Sequence, residues 1–192
     1  MHIRKVTGGL VAALAVTFSL MGGQATAAPA PSQAPAADRA AAARVVTYDA
    51  SGAAEFRSAV DRGAAIWNES VANVELRPVA SGQRANIRVL ADNGWPRAQT
   101  TSLGNGTVWI GRLAVTEGHN TTRISSHELG HILGLPDIKP GPCTSLMSGS
   151  TAGTSCTNAY PNASEKSAVE RYFAGGFART AGTAPLSTTI VG

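Results

Sequence analysis

The sequence of 192 residues predicts a mixed α+β domain, and three features of the chain support that prediction. One early segment spaces its apolar residues like a helix, several short runs are rich in strand-forming residues, and two later segments carry helix start or stop signals. Hydrophobic residues make up 43% of the chain and charged residues 15%, which is typical of a folded globular protein. This composition excludes a disordered or coiled-coil chain.

Residues 1–27 have the organisation of a secretory signal peptide. A basic start precedes an apolar stretch from Leu10 to Met21, and Ala25-Thr26-Ala27 supplies small residues for cleavage. The apolar stretch is shorter than the roughly 20 residues that a membrane-spanning helix needs. We therefore expect a secreted, extracellular protein with no membrane association after signal removal.

The segment 28–44 is almost entirely Ala, Pro and Ser, with few large apolar residues that could form a core. This composition predicts a flexible linker or a pro-segment, and a pro-segment would make the secreted chain a zymogen. Strand-forming residues begin at Val45, so we place the folded domain at 45–192.

The distribution of charge excludes nucleic acid as a partner. The formal net charge is +4, but most of it comes from residues 1–44. The predicted domain carries 12 basic and 11 acidic residues, so it lacks the basic surface that binds phosphate backbones.

The first helix is predicted over 53–70, where an apolar face repeats every three or four residues. Its members are Phe56, Val60, Ala64 and Trp67. Four short runs read as strands, separated by turn-forming Gly, Asn and Pro residues. These runs are 45–48, 74–79, 86–90 and 107–111.

Two more helices are predicted in the second half of the chain. One covers 121–133 and is stopped by Gly134, with Leu129, Ile132 and Leu133 facing the core. The other begins at Asn162, where Glu165 has capping-box spacing. It is expected to turn Val169, Tyr172 and Phe173 inward. The tail from Gly175 onward is expected to be loosely held.

Cys143 and Cys156 are the two cysteines of the chain. In an exported protein, two cysteines predict one disulfide, because the extracellular space is oxidising. A free thiol nucleophile or half of a zinc site explains the pair less well.

The chemistry is concentrated in His127-Glu128-Leu129-Gly130-His131. On a helix, residues four apart lie on the same face, so both imidazoles can bind one metal ion. Glu128 follows the first histidine and can reach a water at an open metal position, as a general base must. The motif therefore predicts catalytic Zn²⁺ chemistry.

The third ligand is predicted to be Asp137, because Gly134 turns the chain back towards the histidines. Two imidazoles and one carboxylate leave a fourth position for water, whereas a structural zinc site normally has four protein ligands. Glu165 and Glu170 are the alternatives, since some zinc peptidases take a glutamate from a later helix. His119 is expected to be a surface histidine.

The motif from His127 to Asp137, followed by Ser145-Leu146-Met147-Ser148, resembles the extended zinc motif and Met-turn of the metzincins. Aspartate as third ligand is similar to the snapalysins, small secreted bacterial neutral proteases. The resemblance covers most of residues 45–173. It implies a metzincin-like zincin fold: a twisted, mostly parallel mixed β-sheet with an antiparallel edge strand beside the cleft, an active-site helix and a C-terminal helix.

The same resemblance implies endopeptidase activity with a preference for an aromatic residue after the scissile bond. It also allows Ca²⁺ as a second cofactor, at the stretch that begins with Asn120. An aspartate is expected at that position, and its replacement by asparagine weakens a hard-cation site. The residues after Asp137, Ile138 and Lys139, also differ from the aromatic residues usual in the family.

The sequence therefore predicts a monomeric, secreted zinc metalloendopeptidase that acts on protein or peptide substrates. Tyr160, Arg123 and Lys139 are candidates for assisting the oxyanion, and the sequence does not choose among them. Two alternatives stay open. One is a secreted zinc-containing binding module without turnover, and the other is a cell-wall amidase without general proteolysis.

Overall fold

The computed structural model describes residues 42–174 with their side chains and the backbone of residues 189–191. The predicted signal peptide, most of the segment 28–44, residues 175–188 and residue 192 lie outside this part of the chain. The predicted limits of the signal peptide and pro-segment therefore stay predictions.

The strands form one sheet in the spatial order β2-β1-β3-β5-β4-β6. Their bounds are β1 Arg44–Gly52, β2 Val74–Pro78, β3 Ile87–Asp92, β4 Arg97–Ser102, β5 Asn105–Gly111 and β6 Thr189–Val191. The first four strands of the order pair in parallel, whereas β4 is antiparallel to both β5 and β6. The mostly parallel mixed sheet that the resemblance implied is therefore confirmed.

β4 does not lie at the edge of this sheet. Its outer side pairs with β6, in the register Arg97 with Val191, Ala98 with Ile190 and Gln99 with Thr189. The C-terminal tail, expected to be loosely held from Gly175, thus contributes the outermost strand.

Four α-helices complete the described fold: α1 Arg57–Ser70, α2 Arg112–Thr116, α3 Thr121–Ile132 and α4 Ala163–Phe173. The predicted first helix is divided, because a 3₁₀ turn at Ala54–Phe56 precedes α1 and Ala54 has a positive φ of 50°. The predicted apolar face is confirmed, since all four of its members are buried in the core.

The core lies between the sheet and the helices α1 and α3. Alternate residues of the strands, such as Val46, Ile87 and Val108, are buried against it. The Trp67 indole Nε1–H on α1 donates to the Ser126 carbonyl on α3 at 2.9 Å. This contact joins the two helices, and both pack against the sheet: α1 against β1 and β2, α3 against β4 and β5.

The expectation for α4 is partly wrong. Val169 and Phe173 are buried, but Tyr172 is 44% exposed. The buried face of α4 repeats every four residues through Glu165, Val169 and Phe173, and Tyr172 lies one position off that line. Its ring instead lies at the margin, against Gly134.

Candidate metal centre

Helix α3 brings the two histidines together. It begins at Asn120, whose side-chain oxygen accepts the Arg123 backbone N–H at 2.9 Å. His127 and His131 lie one turn apart on a buried part of the helix, with ring centroids 4.6 Å from each other. The inward positions of Leu129, Ile132 and Leu133 are confirmed, and this packing fixes which way the histidines point.

The end of α3 brings the aspartate to the same place. Gly134 has a φ of 97°, and its N–H donates to the His131 carbonyl while Leu135 N–H donates to the Gly130 carbonyl. This pair of bonds is the Schellman motif, which needs a left-handed residue at the glycine. The chain then turns back and brings Asp137 beside the histidines.

The three candidate ligand atoms form a small triangle. His127 Nε2 and His131 Nε2 are 3.1 Å apart, and Asp137 Oδ1 lies 3.3 Å and 3.5 Å from them. Zinc bonds of about 2.0–2.1 Å in tetrahedral geometry place neighbouring ligand atoms about 3.3 Å apart. The triangle therefore has the size that a zinc ion requires.

Backbone carbonyls fix the orientation of both imidazoles. His127 Nδ1 lies 3.0 Å from the Leu146 oxygen, and His131 Nδ1 lies 2.8 Å from the Leu135 oxygen. A carbonyl only accepts, so each Nδ1 carries a proton, and in the neutral ring Nε2 then has the lone pair that binds a metal. This tautomer is the one that a ligand histidine needs.

The charges in the centre depend on one another. Burial lowers the pKa of His127, which favours its neutral form. Burial alone would raise the pKa of Asp137, but contacts with His127 and His131 hold it well below the ordinary value. Asp137 Oδ1 is buried, and no hydrogen-bond donor reaches it from the described part of the chain. A buried carboxylate oxygen of this kind fits a cation.

Glu128 lines the same cavity as His127 and is completely buried. Neither of its carboxyl oxygens has a hydrogen-bond partner within the described residues. Burial raises its pKa well above the ordinary value, and the charge of Asp137 raises it further. A carboxyl group with a raised pKa and two unused oxygens is suited to accept and return a proton.

Met147 lies beneath α3 and is completely buried. A Cβ on Gly130 would lie 2.9 Å from the Met147 sulfur and 3.1 Å from the Trp67 ring, so glycine permits this close approach. The segment around Met147 lies inside the loop that the Cys143–Cys156 disulfide closes. The predicted disulfide is confirmed. We call residues 143–156 the floor loop.

Glu165 has a role in addition to the predicted cap. It forms the capping box with Asn162, and its carboxylate also accepts from the Ser145 hydroxyl and from the backbone N–H groups of Leu146 and Met147. It is not part of the group of candidate metal ligands. These floor-loop contacts follow from tertiary structure, and the sequence carried no signal for them.

Arg123 is a second residue whose role the sequence did not show. Its buried guanidinium donates to the carbonyls of Asn158, Ser145 and Leu146 and to the Ser148 hydroxyl. Burial lowers its pKa. Its donors are committed to the floor loop and to Asn158, which makes Arg123 a poor candidate for an oxyanion partner.

Two other candidates make different contacts: Tyr160, considered for assisting the oxyanion, and Glu170, considered as third metal ligand. The Tyr160 hydroxyl donates to Glu69 and accepts from Arg62 in an exposed cluster. Glu170 accepts the backbone N–H groups of Ala72 and Asn73. Glu170 is not part of the group of candidate metal ligands.

His119 is partly buried and lines the cavity beside Glu128, with its ring centroid 6.0 Å from that of Trp95. His119 is not part of the group of candidate metal ligands that contains His127 and His131. The Asn120 side chain is used as the cap of α3, and the calcium site stays a prediction.

These features define a metzincin-like zincin: the mixed sheet, the helix α3 with its two histidines, and the floor loop with Met147. The chain belongs to the Streptomyces extracellular neutral proteinase (M7) family, whose model matches residues 43–176. The family resemblance predicted from the sequence is thus confirmed.

The chain is similar to three proteins that share the description extracellular small neutral protease. It is 44% identical to the one from Streptomyces sp. (strain C5) over 71% of this chain and 59% of that protein. It is also 44% identical to the one from Streptomyces coelicolor, over 76% of this chain and 67% of that protein. The identity to the one from Streptomyces caespitosus is 43%, over 68% of this chain and 98% of that protein. The chain thus spans about three fifths to two thirds of the first two relatives.

The predicted extracellular location is confirmed by membership of this family of extracellular proteinases. Among the helices that the structure describes, none is long and apolar enough to cross a membrane. The monomeric state stays a prediction.

Proposed function

We propose that this protein is a secreted zinc-dependent endopeptidase. One observation carries the proposal: a buried glutamate with no hydrogen-bond partner among the described residues lines the same cavity as His127, which is one corner of a triangle of ligand atoms of zinc-site size. The names of the relatives, which are neutral proteases, support the same activity.

His127, His131 and Asp137 would hold the zinc ion. Its chemistry, when bound, is to polarise the attacking water and the scissile carbonyl. Two imidazoles and one carboxylate are the donor set of a catalytic site with an open position.

Glu128 acts as the general base. It accepts a proton from the attacking water while the water oxygen forms a bond to the carbonyl carbon. It then delivers that proton to the amide nitrogen as the C–N bond breaks, so one water is consumed and an acid and an amine are released. The raised pKa of Glu128 supports both steps, because a group that takes up and returns a proton works best when its pKa is near the working pH.

The substrate lies extended along β4 and pairs with its backbone, as peptides do in β-augmentation. The Thr100 hydroxyl on β4 donates to the His131 carbonyl at 3.3 Å, which supports a position of this strand alongside the centre. Since β6 pairs with Arg97–Gln99, the tail and the substrate compete for part of the outer side of β4.

The cavity that adjoins Glu128 supports the proposed preference for an aromatic side chain next to the scissile bond by the character of its lining. Its lining is mostly apolar and includes Trp95, Ala114 and Ile124. An aromatic ring would gain free energy by leaving water there.

The test is hydrolysis of casein by the purified secreted chain with and without a chelator, followed by addition of zinc. We expect activity that disappears on chelation and returns with zinc. Zinc binding without hydrolysis would instead support a binding module, and turnover of peptidoglycan alone would support an amidase.

A further inference from the structure

The two carboxylate oxygens of Asp137 lie in different environments, and Lys139 contacts one of them. Oδ1 faces the imidazoles of His127 and His131 at 3.3 Å and 3.5 Å, whereas Oδ2 faces the Lys139 ammonium at 3.3 Å. The side chains of Asp137 and Lys139 are 22% and 26% exposed. Water screens an ion pair of this kind less than it screens a pair on the open surface.

The position of Lys139 is fixed by the floor loop. The preceding residue, Ile138, donates its N–H to the Met147 carbonyl at 2.8 Å. The lysine side chain then passes over Gly149, where a Cβ would lie 2.7 Å from Lys139 Cε and 3.3 Å from His127 Cε1. Gly149 therefore leaves room for the lysine beside the histidine ring.

We propose that Lys139 is a positioning residue that holds Asp137 Oδ2, so that the carboxylate offers Oδ1 alone to the metal ion. A carboxylate can bind a cation through one oxygen or through both. With Oδ2 paired to the ammonium, the second mode is disfavoured and a coordination position is kept for the substrate. This inference rests on the proposed function, because it assigns Asp137 as a ligand.

The experiment compares the full secreted chain with Lys139→Met, Lys139→Arg and Lys139→Gln, and with Lys166→Met as the matched control. Lys166 is the other lysine of the described region and lies on α4. Zinc affinity is measured by competition with a chromophoric chelator. The coordination mode is read from the visible absorption spectrum of the cobalt(II) form.

We expect Lys139→Met to weaken zinc binding by about 10–100-fold and to change the cobalt spectrum, as loss of an outer-sphere partner does. Lys139→Arg should restore most of the affinity and the spectrum, because the guanidinium also carries a positive charge. Lys166→Met should match the wild type in both measurements. If Lys139→Met does not fold by circular dichroism, Lys139→Gln takes its place, with an intermediate loss expected because its amide still donates to Oδ2.

Wild-type values for a folded Lys139→Met, or for Lys139→Gln in its place, would overturn the inference and leave the proposed function intact. A wild-type chain that binds no zinc would contradict the proposed function itself and, with it, the positioning role.

Discussion

The carboxylate of Glu165 on α4 accepts the backbone N–H of Met147 at 3.0 Å, so a helix remote in sequence holds the residue beneath the two histidines. The same carboxylate accepts from Ser145 and Leu146. Glu165 is 2% exposed, and an equivalent acceptor could not be supplied by water. The last helix thereby contributes to the shape of the centre without supplying a ligand.

Replacing Glu165 with alanine should lower the free energy of unfolding by about 3 kcal/mol or more, because several buried donors lose their acceptor. Glu170→Ala, on a more exposed part of the same helix, should cost about 1 kcal/mol. Urea denaturation measures both. Zinc affinity in folded Glu165→Ala should stay within about tenfold of the wild type, as for an outer partner. A larger loss would favour Glu165 as a ligand.

Asp137→Ala should weaken zinc binding by more than about 100-fold, because a direct ligand is removed and not an outer partner. Asp49→Ala is the control, since Asp49 contacts Ser51 on the surface and is not in the candidate group. Competition titration with a chelator measures both variants. Equal affinities for the two variants would exclude Asp137 as the third ligand.

Glu128→Gln should keep zinc and lower kcat by at least about 10²–10⁴-fold, since the amide cannot accept the proton of the water. Glu117→Gln, a change at an exposed position, should retain the wild-type rate. Initial rates on a peptide substrate, with metal content checked in each sample, measure the effect. A Glu128→Gln variant that keeps more than about a tenth of the rate would show that another group is the base.

The stability of the protein should fall at alkaline pH partly through Tyr48. Burial raises the pKa of Tyr48, and the hydrogen bond from its hydroxyl to Asp61 at 2.9 Å raises it further. The folded state therefore retains a proton that the unfolded chain loses, so this contribution is complete below about pH 10 and is lost as the pH rises further.

Urea midpoints between pH 8 and pH 11 test this assignment. Tyr48→Phe should be less stable by about 1 kcal/mol at neutral pH and should show a shallower alkaline decline. Tyr160→Phe is the control at an exposed tyrosine and should decline like the wild type. An unchanged slope in Tyr48→Phe would show that Tyr48 does not cause the decline.

Removing residues 189–192 should lower KM for extended peptides by at least about twofold with little change in kcat, because a tethered strand competes at high effective concentration. Ile190→Pro should have a similar effect, since proline has no N–H for the ladder with β4. Ile190→Val is the matched control and should behave as the wild type. A KM that does not change in either altered chain would show that β6 does not compete with the substrate.

The sequence was most informative where a pattern is local. The helical spacing of Phe56, Val60, Ala64 and Trp67 predicted a buried face, and Gly134 predicted the end of α3. Both depend on residues that are near one another in the chain, so neither needs knowledge of the tertiary structure.

Features that depend on distant partners were missed or misjudged. β4 has a polar sequence in which Ala98 is the buried residue, so it lacks the alternation that marks a strand, and pairing with β5 stabilises it. The contacts of Arg123 and Glu165 with the floor loop join segments more than 15 residues apart. Tyr172 was misjudged because the pattern of α4 does not show where the helix meets the margin of the core.

The floor loop is anchored three times by the protein itself: by the Cys143–Cys156 disulfide, by Arg123 and by Glu165. Each of these anchors forms on folding and oxidation, and none involves a metal ion. The exported chain can therefore complete its fold outside the cell and load its ion afterwards. Under the proposed function, catalytic competence would then be governed by the free zinc of the surrounding medium, and a protein that a competing chelator has stripped would regain function on resupply without refolding.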